Sequence, residues 1–164
     1  MANSAKLRMS VVASIVLMAL ASFLPATEPA GPQAPTGLRC EYLENPVGVD
    51  VKLPRFFWVL EHAGRGQAQS AYQIMVSSDR GFAAADLWDS GKVASSKSIQ
   101  VVYAGKALES GKTYFWRVKY WDKDGRESAW SEPARFDTGL FDRAEWKGVW
   151  IGGKNQLRKE FTVN

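Results

Sequence analysis

One cysteine, Cys40, and one histidine, His62, occur in 164 residues. A single thiol cannot close an internal disulfide, so the fold must be held by its core. With no second histidine and no cysteine near the first, a His-rich metal site is excluded. Cys40 reads as a small buried apolar side chain, and His62 as an exposed loop residue. The nucleophile pattern Gly-x-Ser-x-Gly is missing. Gly64-Arg65-Gly66 lacks the third glycine and the helix of a dinucleotide loop. Asp122-Lys123-Asp124-Gly125 opens like a calcium loop, but the later ligands are lacking and Ala134 stands near where the closing Glu belongs. It reads as a hairpin turn. Blocks of like charge are also lacking. The net charge is +4, with acids and bases interspersed, so no nucleic-acid face is expected.

Long apolar runs are scarce as well. The one at residues 9–24 (MSVVASIVLMALASFL) falls short of the roughly 20 residues that a spanning helix needs. Lys6 and Arg8 precede it without an acid, Ala19 and Ala21 near its end form an A-x-A-like site, and Ala26 after Pro25 is a second candidate. Residues 1–26 therefore read as a helical secretory signal peptide. The expectation is export to the periplasm or beyond the cell, with no membrane attachment after cleavage. Residues 27–35 hold Pro29, Pro32 and Pro35 and read as a linker, since proline disfavours both helix and central strand.

What remains has no persistent helical period. Short alternating segments broken by turn residues predict an all-β antiparallel sandwich of about seven strands over residues 36–140, of the fibronectin type III or immunoglobulin kind. The expected strands are 36–41, 55–60, 70–77, 87–93 (bending or ending in a turn at Asp89-Ser90-Gly91), 98–103, 113–122 and 134–138. In the sixth, Tyr114, Trp116, Val118 and Tyr120 share one face. Phe115, Arg117, Lys119 and Trp121 share the other. The uncharged set should point inward, meeting Phe56, Trp58 and Leu60 of the opposite sheet and Tyr72, Ile74 and Val76 beside it. Leu108 and Tyr114, with Gly111 between them, have the spacing of a tyrosine corner. Phe115 and Trp121, facing outward, are the candidates for packing on another domain or stacking on a sugar ring.

Acids are plentiful, but most fall at strand ends and turns. Asp89, Asp122 and Asp124 are explained as turn residues, and no pair stands out as the acid and base of a glycosidase. No catalytic residue, metal ligand or cofactor site is nominated. From residue 141 the pattern changes. Trp146, Trp150, Ile151 and the segment 157–163 (LRKEFTV) read as the incomplete start of a second β domain.

Seven segments carry a family resemblance: LRCEYLENPVGVD (38–50), PRFFWVLEH (54–62), GQAQSAYQIMVSS (66–78), DLWDSGKV (86–93), GKTYFWRVKYWDKDG (111–125), SAWSEPARFDTGL (128–140) and WKGVWIGG (146–153). In this order and spacing they resemble the N-terminal region of bacterial α-L-rhamnosidases. The resemblance implies a fibronectin type III-like domain followed by a jelly-roll domain. It implies a catalytic α-helical toroid much further along, which removes terminal α-L-rhamnose with inversion. Nothing in these residues corresponds to that toroid. The expected function is thus a non-catalytic accessory module, inactive alone, with the downstream domains of the full enzyme as partners. Rhamnose-containing glycans remain an open partner class. The alternative is a stand-alone fibronectin-like module that binds a glycan or a protein.

Overall fold

The computed structural model describes residues 31–149 other than Ala85. The expected signal peptide, residues 27–30 of the linker and the segment 157–163 lie outside the described residues.

Among the described residues eight strands form two antiparallel sheets. They are β1 (Pro32–Cys40), β2 (Arg55–His62), β3 (Gln69–Ser77), β4 (Trp88–Asp89), β5 (Val93–Ala94), β6 (Val101–Val102), β7 (Thr113–Asp122) and β8 (Ala134–Asp137). The smaller sheet runs β1-β2-β6. The larger runs β4-β3-β7-β8, with β5 also paired to β3. A short 3-10 turn, Arg143–Glu145, follows, capped by the Asp142 carboxylate, which accepts from the Ala144 N–H.

The alternation in β7 specifies the packing. Tyr114, Trp116, Val118 and Tyr120 are buried, and Phe115, Arg117 and Lys119 between them are half-buried. Register sets Tyr72 against Tyr120, Ile74 against Val118 and Val76 against Trp116, so both strands contribute to one inner face. From the smaller sheet Phe56 meets Trp116 with ring centroids 4.4 Å apart, and Trp58 meets Tyr72 edge-on at 5.3 Å. Leu60 is partly buried against this core. Each large side chain removed from water contributes on the order of 1.5–3 kcal/mol, which is how a sandwich without disulfides is held. Cys40 belongs to the same core.

Three boundaries differ from the sequence reading. First, β1 begins at Pro32, inside the stretch read as linker. Two register shifts break its pairing with β2, and it lies at a sheet edge, where a proline that cannot donate is tolerated. Second, the strand expected at 98–103 contracts to Val101–Val102. Gln100 adopts φ +53 just before it, which breaks the extended run. Third, the segment 87–93 divides into the separate strands β4 and β5 around Gly91, whose φ of +59 suits glycine.

The loop after β1 crosses to the larger sheet. Val49 bridges Thr138 in parallel, and the Gly139 N–H donates to the Val49 carbonyl at 2.7 Å. The chain therefore leaves β8 beside residues 46–51.

Candidate functional site

The outer face of the larger sheet is closed by its own side chains. Arg117 and Lys119 stand on the outward side of β7, with aromatic rings between and beside them. The Arg117 guanidinium lies 4.4 Å from the Phe82 ring centre and 4.7 Å from that of Trp130. The Lys119 ammonium lies 4.8 Å from Trp130 and 5.1 Å from Trp121, and Lys92 covers Trp121 at 4.3 Å. The result is a continuous ladder of cations and rings, in which each contact is favourable through the ring quadrupole.

Trp130 is delivered to this ladder by a serine-bounded segment. The Ser128 and Ser131 hydroxyls accept from the Tyr120 and Val118 N–H groups at 3.0 and 3.1 Å, and their own N–H groups donate to the Tyr120 and Val118 carbonyls. Residues 128–131 thus extend the β7 edge without being a strand, and Trp130 projects over the outer face.

The two outward aromatics nominated from sequence are placed differently from one another. Trp121 is only 7% exposed. Alternation put it in the open, but Lys92 and Lys119 lay their stems and charges over the ring, as long cationic side chains do on apolar surface. Phe115 is half-buried and shares a shallow recess with Arg80, Thr113 and Arg135.

The smaller sheet is finished differently. Its outer face carries Phe57, which is half-buried and packs on Tyr42 with centroids 4.5 Å apart. Around it lie Val59 at 53% exposure, Ile99 at 61%, Val102 at 49% and Tyr42 at 51%. Gly37, Arg39, Tyr42, Phe57, Val59 and Ile99 line one shallow depression there. Its charges are paired, Arg39 with Glu44 at 3.6 Å and Arg55, beside Tyr42, with Glu41 at 2.6 Å. This pairing holds the Glu41 carboxyl below its usual range, chiefly through the hydrogen bonds from Arg55. Sequence reasoning missed this face. The signal was present in residues 56–60 (FFWVL), an unbroken apolar run of the kind found in strands covered on both sides.

At one end of the sandwich lies a polar cluster that sequence reading also misjudged. His62 is not an exposed loop residue. It closes β2, its side chain is 6% exposed, and its Nε2 lies 3.3 Å from Asp122 Oδ2. Asp122 is fully buried. Its Oδ1 accepts from the Asp124 and Arg126 N–H groups, both at 2.9 Å, and its Oδ2 accepts from Arg126 Nε at 2.8 Å. Burial alone would raise this carboxyl. The hydrogen bonds from Arg126, His62 and Asp124 outweigh it and hold the group at about 2. Asp122 is thus a turn residue, as expected, and also a buried anion that organises the hairpin.

This cluster has a histidine beside a carboxylate but cannot run base catalysis. The Gly64 N–H donates to His62 Nδ1 at 2.8 Å, which assigns the ring proton to Nε2, facing Asp122. Both ring nitrogens are engaged, so neither can take a proton from a substrate. Among the described residues the carboxyls with perturbed acidity, Glu41, Asp86 and Asp122, are all lowered. A glycosidase acid needs the reverse. Among the described residues no group of three or more His, Cys, Asp or Glu could hold a metal ion.

At the opposite turn, the Tyr114 hydroxyl accepts from the Glu109 N–H at 2.9 Å, with Leu108 buried next to it. Thr138 ties the same connection, its hydroxyl bonded to the Lys112 N–H at 2.9 Å and to the Glu109 carbonyl at 2.7 Å.

Comparison with known proteins places this geometry. A family model described as "Rha78A-like, N-terminal immunoglobulin domain" matches residues 35–142. An α-L-rhamnosidase of Streptomyces avermitilis is 46% identical over 118 residues, which cover 71% of this chain and 12% of the relative. The solved α-L-rhamnosidase from Dictyoglumus thermophilum matches with a TM-score of 0.70 at 44% identity, over 74% of this chain and 14% of that one. The Streptomyces avermitilis enzyme solved with L-rhamnose matches with a TM-score of 0.70 at 42% identity, over 73% of this chain and 12% of that one. The chain thus spans only about an eighth of the length of the curated relative it matches.

Proposed function

We propose a role that starts from a fixed premise: this chain belongs to the family of Rha78A-like N-terminal immunoglobulin domains. It serves as the non-catalytic structural module of an exported α-L-rhamnosidase, whose activity is hydrolysis of terminal α-L-rhamnosides. The observation that carries this reading is the confinement of strong identity, 46%, to 12% of a rhamnosidase's length.

In this reading residues 1–26 direct export, the sandwich begins with β1 at Pro32 and extends to residue 140, and residues 141–164 open a second β domain. The downstream domains of the same polypeptide are its partners. Lowered carboxyls at Glu41, Asp86 and Asp122 and a histidine engaged at both nitrogens support a structural role. Phe115, beside Arg80 and Arg135, holds a secondary place as a contact for a neighbouring domain. A glycan-binding role has less support, because cations already lie over the rings of Trp121 and Trp130.

The test is hydrolysis of p-nitrophenyl α-L-rhamnopyranoside. The polypeptide encoded by the continuous reading frame should cleave it, and the 164-residue chain should not. Cleavage by the short chain would overturn the module reading. So would a longer polypeptide that leaves rhamnosides intact.

A further inference from the structure

We infer that the outer face of the β1-β2-β6 sheet, centred on Phe57, Val59, Ile99 and Val102, is the surface on which the downstream body of the same polypeptide docks. The inference rests on the module reading and names its contact surface.

Exposed large hydrophobics are distributed asymmetrically. Among the described residues they are Tyr42, Leu43, Val47, Val51, Leu53, Val59, Ile99 and Val102, then Leu140, Trp146 and Val149. None lies on β3, β4, β5, β7 or β8. The larger sheet hides Phe82, Trp121 and Trp130 under Arg117, Lys119 and Lys92, with half-buried Phe115 beside Arg80 and Arg135 at its edge. On the smaller sheet Arg55 lies over the Tyr42 ring at 5.2 Å, while Val59, Ile99 and Val102 are left exposed. Contiguous apolar surface of this kind marks an interaction site.

The occupant follows from chemistry and connectivity. The charges at the patch are already paired internally: Arg39, opposite Phe57, lies 3.6 Å from Glu44, and Arg55 at the border lies 2.6 Å from Glu41. A partner therefore needs an apolar, weakly charged surface. The chain supplies a route to it. The exit from β8 is hydrogen-bonded to Val49, and exposed Val47, Val51 and Leu53, with Asp50 and Lys52 between them, flank Val49 in the segment that leads to β2. The matched residues make up only 12% of a rhamnosidase relative, so in the module reading a large body follows in cis beyond that exit. Tethering raises its effective concentration at this face.

The experiment compares maleimide labelling of Val59→Cys in the 164-residue chain and in the polypeptide of the continuous frame, read by the mass of the peptide that carries residue 59. Ile99→Cys repeats it from a second element. Glu127→Cys, on the other sheet, is the control. Labelling at 59 and 99 should slow by about tenfold or more in the longer polypeptide, as expected for protected sites, while 127 labels equally in both. Equal labelling at 59 and 99 in a longer polypeptide that does cleave rhamnosides overturns this inference and leaves the module reading intact. A longer polypeptide without rhamnosidase activity, or a frame that closes with no downstream body, overturns both. Failure of one cysteine variant to fold leaves the other to decide.

Discussion

His62 Nε2 donates to Asp122 Oδ2 across 3.3 Å, joining the end of β2 in one sheet to the end of β7 in the other. The bond is a cross-layer clasp at the site where the 122–126 hairpin turns back. A buried anion with partners from three residues is costly to disturb. Asp122→Asn should destabilise the domain by about 3 kcal/mol, because breaking a buried pair leaves its partners unsatisfied. Urea unfolding followed by Trp fluorescence would measure it. A change within about 0.5 kcal/mol would show that the clasp is not structural.

Acid should unfold this protein through the same group. Asp122 sits at about 2 in the fold against an ordinary 3.8. Above that ordinary value the carboxylate is ionised whether folded or not, and its full contribution is present. Between roughly 4 and 2 the unfolded chain binds the proton and the folded chain does not, so stability falls with pH. The lowered carboxyls of Glu41 and Asp86 act in the same direction. Thermal melts from pH 5 to pH 2 should show this loss, and Asp122→Asn should flatten the slope in that window. An unchanged slope in the variant would assign acid sensitivity elsewhere.

Tyr114 closes the connection before β7 by a single acceptor contact from its hydroxyl to the Glu109 N–H. Tyr114→Phe keeps the ring in the core and removes only that bond. The expected cost is about 0.5–1.5 kcal/mol, the net worth of one hydrogen bond. Equilibrium unfolding would detect it, and hydrogen exchange at Glu109 should accelerate. Unchanged exchange there would argue against the corner.

Cys40 should be chemically silent in the folded protein. Burial pushes its thiol up to about 12, with a smaller push from Glu41, and the thiolate is the reactive form. Native protein at pH 8 should resist Ellman's reagent, and urea should release one reactive thiol. Rapid reaction without denaturant would mean that the core opens at β1.

The inner face of the sandwich was legible from alternation because a charged side chain cannot be left unpaired in the core. Arg117 and Lys119 therefore decide which way all of β7 points. The β1 start was not legible. Pro32 and Pro35 exclude a central strand, and only the sheet order places β1 at an edge. Trp121 was misjudged because period two gives a side of the sheet and not its cover. Lys92 comes from the turn before β5, and no local rule ties it to Trp121. His62 was misread for a similar reason, since its partner lies sixty residues away.

The order of apolar and charged residues along this chain, together with its single cysteine, determined by itself an all-β fold held by an aromatic core, because every second side chain must either leave water or stay in it. Tertiary structure alone decided which outer face is closed and which is left bare, and that a turn aspartate became a buried anion. Those outcomes depend on which distant side chain arrives over a given position. Only the pairing of strands fixes that meeting.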